Sequence, residues 1–90
     1  MTADNKPVAK SHIRLREESD KWALLYDPDT GNHRVINPVG VFVWKLLDGS
    51  RKVEDIVKEL GNFYNNVPEE VEQHVAKFIE VLVEKGYVAT

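Results

Sequence analysis

The side chains able to do chemistry in this chain are few and scattered. Of its 90 residues three are histidines, His12, His33 and His74. None stands four residues from another or within a His-Glu-x-x-His run, so no helical metal site has a ligand pair to start from. Cysteine is absent, which excludes disulfides, thiolate metal centres and a cysteine nucleophile. Ser11, Ser19 and Ser50 lie in tail or turn contexts without the Gly-x-Ser-x-Gly elbow of a hydrolase. The glycines Gly31, Gly40, Gly49, Gly61 and Gly86 are singletons, so no glycine-rich loop cradles a phosphate. Glu69-Glu70 has the look of an acid–base pair, but acids at a helix start are explained by the helix dipole. Asp27 and Asp29 flank Pro28 and suit a turn. The expectation is no catalytic residues, no metal and no cofactor.

The elements that would position these groups follow from periodicity. Residues 1–10 are polar, carry Pro7 and show no period, which predicts a flexible N-terminal tail ahead of one domain over 11–90. From His12 to Glu17 the pattern alternates, with Ile13 and Leu15 on one face. Trp22-Ala23-Leu24-Leu25-Tyr26 is apolar on both faces, as a central strand covered on each side would be. Asp27-Pro28-Asp29-Thr30-Gly31-Asn32 turns the chain into a short third strand, His33-Arg34-Val35-Ile36. The period then becomes helical. Asn37-Pro38 reads as cap and first helical residue, followed by Val39, Phe42, Val43, Leu46 and Leu47, with Trp44 as a core residue. Val53, Ile56, Val57, Leu60 and Phe63 predict a second helix. Asn65-Asn66-Val67 is a linker, and Pro68-Glu69-Glu70 opens a third helix that Gly86 ends. The order is that of an α+β fold, a three-stranded antiparallel β-meander followed by three α-helices.

Composition limits what such a domain does. Twelve Lys and Arg against 15 Asp and Glu give a formal charge of −3, the wrong sign for coating nucleic acid or an anionic membrane. No apolar run reaches the roughly 18 residues of a membrane span, and the first residues lack the apolar stretch of a secretory signal. A cytoplasmic location is expected. What remains is shape: the short third strand leaves a sheet edge whose backbone groups can accept another strand. On the third helix Val71, Val75, Phe78 and Leu82 form the apolar stripe. One shoulder carries His74, Lys77, Val81 and Lys85, the other Glu72, Ala76, Ile79 and Val83.

Certain runs, in their order, resemble a known family. They are Ile13-Arg14-Leu15-Arg16, Leu24 through Gly31, Val35-Ile36-Asn37-Pro38-Val39-Gly40, and Val43-Trp44-Lys45-Leu46-Leu47-Asp48-Gly49. Val53-Glu54-Asp55-Ile56, Glu70-Val71-Glu72 and the ending Gly86-Tyr87-Val88 complete the set. Together they resemble the pyrroloquinoline-quinone synthesis protein D (PqqD-like) proteins. The wider group is the precursor-peptide recognition elements of ribosomally made, post-translationally modified peptide (RiPP) pathways. The resemblance implies a winged-helix-like fold and a non-catalytic adaptor that binds the leader segment of a precursor peptide by β-strand addition. It also implies presentation of that peptide to a modifying enzyme, such as a radical S-adenosylmethionine protein or a leader protease. Carried over residue by residue, the peptide would lie along His33, Arg34, Val35 and Ile36. It would be faced by His74, Val75, Lys77, Phe78, Val81 and Leu82 of the third helix. Val67 departs from the polar residue usual before that helix, and the tail has no counterpart. A monomer without nucleic acid or membrane partners is expected. The competing reading of the same fold is a winged-helix nucleic-acid-binding regulator, which the acidic Glu69, Glu70 and Glu72 oppose.

Overall fold

The computed structural model describes residues 6–64 and 67–90. Asn65 and Asn66 of the expected linker, and residues 1–5 of the expected tail, lie outside that range. In chain order the elements are β1 (Val8–Ala9), β2 (Arg14–Glu17), β3 (Ala23–Tyr26) and β4 (His33–Ile36). They are followed by α1 (Pro38–Lys45), α2 (Val53–Phe63), α3 (Val71–Glu84) and β5 (Val88–Ala89). β2, β3 and β4 form the expected antiparallel meander with β3 in the middle. The three helices follow, giving the α+β, winged-helix-like arrangement.

Register decides which side chains share a face. Leu15, Leu25 and Arg34 stand in one row across the sheet, and Glu17, Ala23 and Ile36 in the next. Ala23, Leu25 and Ile36 are buried, so this face meets the helices. The opposite face holds the rows Arg14–Tyr26–His33 and Arg16–Leu24–Val35. There Leu24 and Tyr26 are only half-buried and Val35 is 61% exposed. The apolar β3 is therefore covered on one face, where cover on both was expected. Trp22 precedes the strand and is exposed.

Gly31 adopts φ 80° at the end of the β3–β4 connection, a conformation that glycine takes without Cβ strain. Its N–H donates to the Asp27 carbonyl (2.8 Å), and Asp27 N–H donates to Asn32 (2.9 Å). Asn37 caps α1 as predicted, its Oδ1 accepting the Gly40 N–H at 2.8 Å. At the start of α2 the Asp55 carboxylate accepts the Lys52 N–H at 3.1 Å. α3 begins later than expected. Residues 68–70 form a turn, closed by a 3.1 Å bond from Val71 N–H to the Pro68 carbonyl, and Glu70 supplies no side-chain cap.

The core unites Leu25, Ile36, Val43 and Trp44 with Ile56 and Leu60 of α2, Val75, Ile79 and Leu82 of α3, and the closing Tyr87-Val88. Each fully buried aliphatic side chain contributes about 1.5–3 kcal/mol. The core side of α3 is centred differently from the expected stripe: Ile79 is wholly buried, while Val71 and Phe78 are half-buried. α3 packs against both α2 and β5, which rotates its buried face toward Ile79.

The second half of the expected tail is also ordered differently. Pro7 is buried, and β1 pairs antiparallel with β5 through Val8↔Ala89 and Ala9↔Val88. On its other side Ala9 N–H donates to the Leu47 carbonyl (2.7 Å), and Gly49 N–H donates to Pro7 (3.2 Å). Backbone hydrogen bonds hold this segment, and they leave no periodicity of side chains to read.

Candidate peptide-binding edge

Among the described residues β4 pairs with β3 alone, so one of its edges has no strand beside it. Because Asp27 and Asn32 are a hydrogen-bonded pair in this register, alternation makes Leu25–Arg34 and Ala23–Ile36 hydrogen-bonded pairs as well. The backbone groups of Arg34 and Ile36 thus turn inward to β3. Those of His33 and Val35 turn outward. This edge offers a neighbouring strand two N–H donors and two carbonyl acceptors.

Asn37, the residue after β4, borders a cavity. About 330 Å³ of open space lies between the start of α1 and the first half of α3, bounded by Asn37, Val39, Gly40, Val43, Pro68, Val71, His74, Val75 and Phe78. Gly40 is the reason the walls approach this closely. A Cβ there would stand 3.1 Å from the Ile36 Cβ and 3.3 Å from the Phe78 ring, tighter than packed carbons tolerate without movement. The lining is mostly apolar with His74 at one side, a composition suited to an aliphatic or aromatic side chain.

Of the residues expected to meet a peptide, His33 and Val35 are exposed, Arg34 is half-buried and Ile36 is buried. Among the helix residues His74, Val75 and Phe78 bound the cavity. Lys77 is exposed and Val81 half-buried farther along α3, outside the cavity lining. Leu82 has no accessible surface and belongs to the core, outside the cavity lining. Asn37, Val39, Gly40 and Val43 were not expected at the site. A glycine inside an apolar helical pattern was the available signal, since it marks close approach.

A second cluster, at the tip of the β3–β4 turn, was also missed. Donor atoms of His12, Asp27 and Asp29 lie within 4.8 Å of one another. Asp27 Oδ1 accepts the Asp29 N–H at 2.8 Å, and Oδ2 stands 3.5 Å from His12 Nε2. Burial pushes the Asp27 carboxyl up, but the Asp29 hydrogen bond, the nearby His12 and a Thr30 backbone bond together hold it below the usual range. Burial, aided by the Asp27 charge, raises the neighbouring Tyr87 hydroxyl. The cluster ties the turn to the start of β2.

Comparison with known proteins follows the same outline. The family model for coenzyme PQQ synthesis protein D (PqqD) matches residues 23–88. No curated protein matches the chain. Among solved structures, TbiB1 in complex with the TbiA(beta) leader peptide is 22% identical with a TM-score of 0.73, over 90% of this chain and 93% of that one. Lasso peptide synthetase B1 complexed with the leader peptide is 18% identical, also at 0.73, over 94% and 99%. The heterocyclase TruD is 22% identical with a TM-score of 0.64. There 94% of this chain corresponds to only 11% of the heterocyclase. These likenesses establish a shared fold.

Proposed function

Because this chain belongs to the PqqD family, we propose that it is a non-catalytic adaptor for a precursor peptide. The leader segment adds as a strand to the outer edge of β4. Its main chain bonds to the outward N–H and C=O groups of His33 and Val35, and one inward side chain fills the cavity beside Phe78 and His74. Backbone pairing supplies affinity and the cavity supplies selection. The observation that carries this reading is a strand edge that is unpaired among the described residues and whose next residue, Asn37, borders an apolar cavity. TbiB1 and lasso peptide synthetase B1, which share the fold, are complexed with leader peptides.

The mechanism is proximity. A held leader keeps the rest of the precursor at high local concentration near a modifying enzyme, and no bond is made or broken here. That a heterocyclase contains this fold as a small part of its chain supports an enzyme partner; the classes expected are a radical S-adenosylmethionine protein or a leader protease. One strand and one side-chain pocket correspond to micromolar affinity, about −8 kcal/mol. None of the helices among the described residues is long and apolar enough to cross a membrane. A cytoplasmic monomer is the working state.

The test is a backbone amide NMR titration with the leader of a short peptide encoded beside this chain. Shifts concentrated at 33–37, 39–43 and 71–78 are the expected result. Shifts confined to other elements, or none at a saturating leader concentration, overturn strand addition at β4.

A further inference from the structure

The face of the sheet turned away from the helices is uncovered, and its residues have one sign of charge. Its two rows, Arg14–Tyr26–His33 and Arg16–Leu24–Val35, contain two arginines, a histidine, three large apolar or aromatic side chains and no carboxylate. The chain as a whole carries −3, so this face runs against the average. Arg16 Nε meets Glu18 at 2.7 Å, but the Arg16 side chain remains 68% exposed. Among the described residues no carboxylate forms an ion pair with Arg14.

We infer that this outer face, centred on Leu24 and Tyr26 and rimmed by Arg14 and Arg16, docks the adaptor onto an acidic-rimmed apolar patch of the peptide-modifying enzyme. The inference rests on the adaptor reading above. A leader added to β4 lies in the plane of the sheet and extends this face by one strand without covering it. Peptide and enzyme are then held at once on perpendicular surfaces, as delivery by proximity requires. Charge selects among other occupants. A second copy would bring the same two arginines against these, and like charges across an interface cost affinity. A nucleic acid would meet only two arginines on a chain of net negative charge.

The experiment measures two affinities by calorimetry, for the purified modifying enzyme encoded beside this chain and for the leader peptide. It compares the wild-type protein with Arg14→Glu/Arg16→Glu and with Leu24→Thr, each checked for folding by circular dichroism. Neither variant alters a residue of β4 or of the cavity lining, although Leu24 stands opposite Val35 on the outer face. The expected result is at least tenfold weaker enzyme binding in both variants, with wild-type binding falling steeply as salt rises. Leader affinity stays within twofold of wild type. Enzyme binding within twofold of wild type in both folded variants, or no binding of the enzyme to the wild-type protein, overturns the docking face. The peptide reading is judged separately, by the leader affinity.

Discussion

The two edges of one small sheet are built to opposite ends. β2 and β4 are both four residues long and both flank β3. β2 is charged at three of its four positions, Arg14, Arg16 and Glu17, and Glu17 is tied to Lys45 of α1 at 3.3 Å. Charged edge strands deter the pairing of another chain. β4 instead presents Val35 at 61% exposure, and at Ile36 it turns at once into the capped start of α1. Backbone geometry is equal at the two edges, so on the proposed reading the side chains decide which edge receives a strand.

Proline separates the two edges most sharply. Val35→Pro removes an N–H that turns away from β3, so the β3–β4 ladder survives while an incoming strand loses a donor. Leader binding should weaken at least a hundredfold in calorimetry, with the thermal midpoint little changed. Glu17→Pro makes the same deletion on β2, since Leu24 and Tyr26 bond across to Arg16 and Arg14 in this alternation. Leader affinity there should be unaltered. Equal losses at both edges would abolish the distinction.

Closing the cavity should matter next. Gly40→Val sets its branched side chain against Ile36 and Phe78, costing about 1–3 kcal/mol of stability in denaturant titration. Leader binding should fall about tenfold in the population that remains folded. Binding equal to wild type would mean that the β4 edge works without the cavity beside it.

A smaller effect comes with acid. The Asp27 carboxyl titrates lower in the folded chain than its ordinary value, so its ionised form favours the folded turn. That contribution is complete above the ordinary aspartate pKa of about 3.9 and is lost as pH falls through the lower folded value. Exchange of the Asp29 amide, which donates to Asp27, should accelerate over that range, while amides in the middle of β2 hold. Insensitivity of Asp29 to the titration would remove Asp27 from the support of β4. The smallest change is expected from Lys45→Met, which frees Glu17. Both side chains are 55% exposed, and such pairs contribute no more than about 1 kcal/mol in thermal unfolding.

Much of this was legible in the residues. The alternation at Ile13 and Leu15, the Asp27–Asn32 turn and the Asn37-Pro38 cap act over a few residues, so their geometry follows from local chemistry. They gave the strand order, and the runs around them carried the family resemblance that the match at 23–88 bears out. Contacts between distant segments were not legible. The apolar stripe of α3 leaves Phe78 and Ile79 nearly equivalent, and only packing against α2 and β5 buries Ile79 and leaves Phe78 to the cavity. Leu82 was expected at the peptide for the same reason, and packing buries it in the core.

The chain by itself determined the order of β2 to β4 and α1 to α3, because capping, turn formation and side-chain period are short-range. Tertiary structure decided that residues 7–9 pair with β5 and the turn after α1, since main-chain hydrogen bonds carry no side-chain signature. It also decided that residues 37–43 and 68–78 enclose one cavity. A cavity belongs to the spacing between elements, and that spacing exists only once Gly40 has let α1 and α3 close upon each other.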